Sequence, residues 1–334
     1  MPMNNTNWVR KGKIFSPTGN YPWMNSYASQ VCAMEFDDFI RIYFTTRSEL
    51  DINGNYEARI TFLDCEKKNP QKILYVHDKP LLSLGQAGTF DEHGSMMCEI
   101  LFHDNKYWLY YLGWQRSGTV PYINSLGLAL SEDGHNFSKI SEGPIIGLNR
   151  FVPFGIAKSS ILIEDGVFNM WYTHYLPWEK SIIKDSSLIG KENFRPNYDI
   201  RLATSTNGMD WKFGERCLTL SNQNQAIATP CVRKINDAYY MWYGYRDVLD
   251  KSGNSGSYKI GCATSVDKMN WKMDFSEHLV CDGNQNDWDT EMQCYPNVLK
   301  SKHDDFLYLF YSGNHYGRDG FGYAVIAMQD TKLK

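Results

Sequence analysis

The chain has 334 residues, 43% hydrophobic and 22% charged, the profile of a globular protein with enough chain for a large core. A formal charge of −4 and the lack of any basic run argue against nucleic acid as the main partner. No stretch reaches the roughly 20 apolar residues that span a bilayer, and MPMNNTNWVRKGKIF has no apolar signal core. The eight cysteines are scattered without a CxxC pair, so reduced thiols and a cytoplasmic location are expected.

In chain order, the first recurring element is a strand ending in an aromatic triplet. IYF stands at Ile42 to Phe44, LYY at Leu109 to Tyr111, MWY at Met170 to Tyr172, MWY again at Met241 to Tyr243, and LFY at Leu309 to Tyr311. Their last residues lie 67, 61, 71 and 68 positions apart (111−44, 172−111, 243−172, 311−243). A turn signal precedes each triplet: FDDF, HDNK, EDGV, INDA and HDDF. Asp, Asn and Gly there suit the tight hairpins that join antiparallel strands. Another apolar run precedes each turn, so every unit opens with two paired strands.

A second signature follows in several units. GLALSEDGHNF, RLATSTNGMDW and GCATSVDKMNW each read as a strand, a turn and a return strand led by an aromatic. GFGYAVIAMQD holds the equivalent place in the fifth unit, and EARITFLDCEK in the divergent first. Helical periodicity is nearly absent. Four strands in each of five units predict an all-β, five-bladed β-propeller with four antiparallel strands per blade. The chain 1–334 is expected to form one domain, with blades near 20–85, 86–147, 148–220, 221–281 and 282–330.

In such an architecture the first strand of each blade lines the channel and the second runs antiparallel beside it. Residues before the first strand and after the triplet should therefore meet at one face. Cys32, Cys98, Ser159, Cys231 and Asn297 fall at equivalent inner-strand positions, where small side chains suit packing. Six or seven residues earlier come Asn25 and Ser26, Asp91 and Glu92, Val152 and Pro153, Asn224 and Gln225, and Thr290 and Glu291, with Asp289 close by. Three residues past the triplets stand Arg47, Trp114, Tyr175, Arg246 and Asn314, with His174 and His315 beside two of them.

This places Asp91, Glu92 and His93 at a channel mouth, opposite Asp289 and Glu291. Opposed carboxylates are what glycosidic cleavage needs, one to protonate the leaving oxygen and one to activate water or attack carbon. Arginines and histidines nearby could clamp a phosphate or carboxylate. Asp91 and Glu291 are the favoured catalytic pair, with Asp289 or Glu92 modulating. Asp91→Asn and Glu291→Gln are expected to abolish turnover with little change in stability, as both belong to a solvated rim. Plain structural roles fit the same residues. Asp91 and Asp289 could cap turns, Arg47 and Arg246 could neutralise them, and His93 could hydrogen-bond its own turn. No HExxH-like spacing marks a metal site, and no cofactor is expected. GNHYGRDGFG, between two predicted strands, reads as a tight loop reaching the pocket.

The triplets, the SEDG-type hairpins, GTFDEHGSMMCEI, WDTEMQCYPNV and YSGNHYGRDGFGYAV resemble the five-bladed propeller superfamily of arabinanases, levansucrases and invertases. The likeness runs from about residue 20 to 330 and is greatest to a glycosidase-like branch tied to bacterial surface-polysaccharide biosynthesis. The resemblance implies carbohydrate substrates and three acids in a funnel. Here Asn25 and Ser26 stand where the first-blade acid is usual, and Gln225 where the fourth blade often supplies one. The usual triad therefore does not transfer. Mannoside phosphorylases of similar architecture are a partial precedent, with fewer acids and with Arg and His around phosphate. Three readings stay open: a glycosidase acting on a polar, anionic bacterial sugar, a non-catalytic binder of a glycan or sugar nucleotide, and a phosphorylase.

Overall fold

The computed structural model describes residues 8–180, 194–218, 225–247, 256–274 and 287–328. Among these, five four-stranded antiparallel sheets form a five-bladed β-propeller, with one helical turn at Asn314–Gly317. The first blade holds Ser26–Glu35, Phe39–Arg47, Ala58–Glu66 and Ile73–Val76. Ser95–His103, Lys106–Arg116, Tyr122–Ser131 and Ser138–Lys139 make the second. The third contains Ile156–Glu164, Val167–Tyr175, Tyr198–Ser205 and Lys212–Leu218. Gln225–Ile235, Ala238–Asp247, Lys259–Ser265 and Lys272–Asp274 form the fourth. The fifth joins Cys294–Lys300, Phe306–Ser312 and Phe321–Ala327 to the N-terminal strand Val9–Phe15, which closes the ring.

Two sets of contacts explain why the motifs recur together. The middle residue of a triplet donates to the outer hairpin of the next blade: Tyr43 Oη to the Gly134 carbonyl at 2.7 Å, Tyr110 Oη to Gly208 at 3.0 Å, and Trp171 Nε1 to Lys268 at 3.0 Å. Each hairpin is itself built by a serine, Ser131, Ser205 or Ser265, whose Oγ accepts two backbone N–H groups across the turn. Triplet and hairpin are thus two halves of one inter-blade joint.

The small inner-strand residues make the second set, a closed circuit around the axis. Cys32 Sγ donates to Glu99 Oε1, Cys98 Sγ accepts from Ser159 N, and Ser160 Oγ accepts from Val232 N. Cys231 Sγ accepts from Val298 N, and Asn297 Oδ1 accepts from Ala33 N, which returns to the first blade. The cysteines therefore do more than fill space: their sulfurs pair polar groups that would otherwise be buried unsatisfied.

All five inner strands slip register at the same height. The shifts fall between Ser29 and Cys32, Met97 and Glu99, Ala157 and Ser159, Ala228 and Cys231, and Cys294 and Asn297. A bulge leaves an extra residue off the ladder and re-aims it. Here the bulged Gln30, Lys158, Thr229 and Tyr295 all line one cavity at the propeller axis.

Candidate active site

The axial cavity, about 160 Å³, is lined from several directions. The bulges supply Gln30, Lys158, Thr229 and Tyr295, and the ends of the second strands supply Arg47, Trp114, Tyr175 and Arg246. The starts of the third strands add Tyr122, Asn124, Tyr198 and Tyr258, and Arg195 enters from the short hairpin Glu179–Lys180/Phe194–Arg195. No carboxylate lines the cavity among the described residues, whereas four cations do: Arg47, Lys158, Arg195 and Arg246.

Lys158 is 2% exposed, and its ammonium donates to the Cys98 carbonyl at 2.8 Å and the Val31 carbonyl at 3.4 Å. Arg47 is held between two aromatic rings, its guanidinium carbon 3.7 Å from the Tyr27 centroid and 4.1 Å from Tyr56. Trp114 stacks on Tyr56. Neither cation has an ion-pair partner among the described residues. Arg246 donates to the Pro196 carbonyl at 2.9 Å, tying the fourth blade to the segment that carries Arg195. The hydroxyls of Tyr122, Tyr175 and Tyr198 interact with one another, and burial pushes all three up from the ordinary tyrosine range.

Backbone strain concentrates on the same wall. Tyr27, Gln30, Thr229, Tyr295 and Tyr316 adopt left-handed φ between 52° and 61°, and all five line the cavity. Aromatic and β-branched residues rarely occupy that region, which costs on the order of 1–3 kcal/mol each. Most other non-glycine residues with positive φ lie in hairpin turns, as Asp104, Asn105, Asp165 and Asn236 do.

Of the residues singled out by sequence, Arg47, Trp114, Tyr175 and Arg246 meet at this cavity. The carboxylates do not. Asp91 is 2% exposed, accepts from Tyr111 Oη at 3.3 Å and pairs with Lys139 of its own blade. Asp289 is fully buried, accepts from Tyr311 Oη at 2.6 Å and pairs with Arg10. The two are equivalent devices: an Asp before the inner strand, the Tyr that ends the triplet, and a cation from the outermost strand. The expectation that Asp91 sits on a solvated rim is therefore corrected, because its side chain turns inward between the strands of its own blade. Arg47 and Arg246 are not the neutralising partners.

Glu92 accepts from Gly88 N and Gln115 Nε2, which lowers its pKa, and His93 Nδ1 accepts from Arg116 N. Glu291, Asn314 and His315 meet at a shallower groove with Lys13, Gln71 and Asp319, where Glu291 lies 3.9 Å from His315. Asn314 Oδ1 accepts from the backbone N–H groups of Glu291 and Met292. His174 faces away from the cavity, 4% exposed, and burial lowers its pKa to about 4. Gln225 Nε2 donates to Asp247, and Asn224 lies outside the described residues. Among the described residues no group of three or more His, Cys, Asp or Glu could hold a metal, and no helix is long and apolar enough to cross a membrane.

Sequence reading missed Lys158, Arg195 and the tyrosines Tyr122, Tyr198 and Tyr258. The tyrosines carried a usable signal, since each opens or immediately precedes the third strand of its blade, in PYINS, NYDIR and SYKIG. Lys158 and Arg195 had none, one depending on a bulge and the other on a short strand pair inserted between the second and third strands of the third blade.

No family model matches the chain. It is 23% identical to the 1,2-beta-oligomannan phosphorylase of Thermoanaerobacter sp. (strain X514) over 321 residues, 78% of this chain and 99% of that one. Two solved structures share the fold: a glycosyl hydrolase from Bacteroides ovatus (TM-score 0.71, 13% identity, 98% and 96% coverage) and the beta-1,2-mannobiose phosphorylase from Listeria innocua with beta-1,2-mannobiose (TM-score 0.67, 13% identity, 97% and 98% coverage). At 31% identity over 322 residues, covering 96% of this chain and 99% of the relative, the similarity to the uncharacterized protein MT1551 of Mycobacterium tuberculosis (strain CDC 1551 / Oshkosh) is stronger, and Rv1502 of strain ATCC 25618 / H37Rv follows at 30%. The chain belongs to the protein family of MT1551 and Rv1502, built on the five-bladed propeller seen in glycoside hydrolases and phosphorylases.

Proposed function

We propose that the chain is a carbohydrate-active enzyme that handles a glycosidic linkage in the axial cavity, with phosphate or a phosphorylated sugar as the anionic participant. The observation that carries this reading is Lys158. An ammonium at 2% exposure, held by carbonyls and without a carboxylate partner among the described residues, is costly unless an anion sits beside it. Arg47 offers a second such cation, fixed by its two flanking rings. The lack of a carboxylate among the described lining residues suits phosphorolysis better than a mechanism through two opposed acids. In phosphorolysis a phosphate oxygen bonds to the anomeric carbon as the glycosidic C–O bond breaks. The attacking hydrogen phosphate gives up its proton, the leaving oxygen gains one, and a glycosyl 1-phosphate forms. The linked hydroxyls of Tyr122, Tyr175 and Tyr198 are among the proton-carrying groups of the described wall.

A second reading, a propeller that binds an anionic saccharide without turnover, draws on the same lack of carboxylates. One assay separates the two. The protein is incubated with β-1,2-linked mannooligosaccharides, with and without phosphate, and glycosyl 1-phosphate is measured. The proposal expects product only with phosphate, reduced at least 100-fold in Lys158→Met. Equal sugar release without phosphate would indicate hydrolysis, and saturable binding with no product would favour the second reading.

A further inference from the structure

Eight of the described residues that line the axial cavity are tyrosines, and three of them are linked hydroxyl to hydroxyl between the second and third blades. Tyr175 and Tyr198 pair across neighbouring strands of the third blade, with ring centroids 4.9 Å apart at 77°. Tyr122 opens the third strand of the second blade, where Trp114 and Trp178 meet its ring edge-on at 6.3 Å and 5.3 Å. The rings are thus fixed, and their hydroxyl protons can be assigned in turn. Asn124 Nδ2 donates to Tyr175 Oη at 3.1 Å, so Tyr175 sends its own O–H on to Tyr122. Tyr198 donates into the same pair. Both neighbours donate inward, and the proton of half-buried Tyr122 is the one left for the cavity. Burial raises all three phenols, Tyr122 less far than the others, because both neighbours donate to it and Arg246 lies close.

From this arrangement we infer that Tyr122 is the acid of the reaction, giving its hydroxyl proton to the glycosidic oxygen as the C–O bond breaks, with Tyr175 and Tyr198 as positioning residues that hold the phenolate. The inference rests on phosphorolysis in the axial cavity, as proposed above. The electron pair of the breaking bond goes to the leaving oxygen, which takes the Tyr122 proton and departs as an alcohol. The phosphate oxygen bonds to the anomeric carbon, and the proton given up by hydrogen phosphate restores Tyr122. No proton is gained or lost overall. A departing alkoxide is far more basic than a phenolate, so the transfer runs downhill even from a phenol raised by burial. The two inward O–H groups and the nearby Arg246 stabilise the phenolate while it lasts.

The test separates proton donation from binding by varying the leaving group. Wild type, Tyr122→Phe and Tyr175→Phe are compared on β-1,2-mannobiose and on aryl β-D-mannosides from dinitrophenyl to phenyl, with and without phosphate. Phenylalanine keeps the ring contacts with Trp114 and Trp178, and near-UV circular dichroism checks the fold. Tyr122→Phe is expected to lower kcat at least about 100-fold on mannobiose but less than about fivefold on the dinitrophenyl glycoside, whose phenolate leaves without a proton. Tyr175→Phe should lower kcat on mannobiose about tenfold with KM nearly unchanged, and again spare the dinitrophenyl glycoside. A similar loss on every leaving group in Tyr122→Phe, or none on mannobiose, would overturn the inference. If Tyr122→Phe does not fold, Tyr175→Phe decides: a loss that grows with leaving-group basicity supports the inference, and a uniform loss overturns it. The phosphate arm reports on the underlying reading. No product from wild type on any of these glycosides overturns reading and inference together. A leaving-group effect that persists without phosphate keeps Tyr122 as the acid and removes phosphate from the reaction.

Discussion

At the residue scale, charge separates framework from site. Asp91 and Asp289 are buried carboxylates held within their own blades, by Tyr111 and Lys139 for one and by Tyr311 and Arg10 for the other. Their charge is spent inside the blade. Lys158 and Arg47 are the reverse case, cations lining the cavity that are held by backbone carbonyls in one case and aromatic rings in the other. Asp91→Asn should therefore destabilise the protein by about 2–4 kcal/mol, because it leaves the Lys139 ammonium unpaired at a half-closed site. Urea denaturation checks the loss, and phosphate affinity should stay within about twofold of wild type. Unchanged stability with abolished turnover would instead return Asp91 to the catalytic role its place in the sequence suggested.

At the scale of the element, the bulge decides what could be read from the chain. Triplets, hairpins and their spacing were legible because each obeys a local rule: alternation within a strand, Asp or Gly at a turn, and one period near 65 residues. The side on which a residue emerges near an inner strand obeys no such rule. A single extra residue reverses the facing of everything beside it, and every inner strand here carries at least one, the first blade's carrying two. Arg47, Trp114, Tyr175 and Arg246, counted along the unbulged second strands, reach the cavity, while Asp91 and Asp289 lie in turns ahead of the inner strands, where no strand alternation fixes their facing, and are buried in the blades. Lys158 stayed hidden because of its bulge, since an ordinary count would place it on a ladder rather than on the wall.

At the scale of the whole molecule, blades are joined by hydrogen-bonded circuits that tolerate few added protons. His174 is buried neutral with its pKa lowered to about 4, and burial lowers His77 and His93 as well. Glu164, bonded by Lys234, Lys268 and Tyr239, is lowered to about 2 although burial opposes this. In each case the folded state binds protons less readily than the unfolded chain. Stability is therefore full above the unfolded values and falls with acid, through roughly pH 6.5 to 4 for His174 and from about 4.5 downward for Glu164. Thermal unfolding from pH 7.5 to 4 should show a continuous loss, on the order of 3 kcal/mol of it from His174. His174→Asn should flatten the pH 6.5 to 4 portion, and an unaltered slope would mean that the ring is protonated without cost.

The account depends on the electrostatics of the propeller axis: the proposal assigns the counter-charge of Lys158 and Arg47 to the ligand. Titration of inorganic phosphate into wild type and Lys158→Met, followed by calorimetry at low ionic strength, tests this most directly. Saturable binding in wild type, weakened at least tenfold in the variant while Asp91→Asn retains it, is the predicted result. Equal phosphate affinity in wild type and Lys158→Met, or no binding in either, would contradict it.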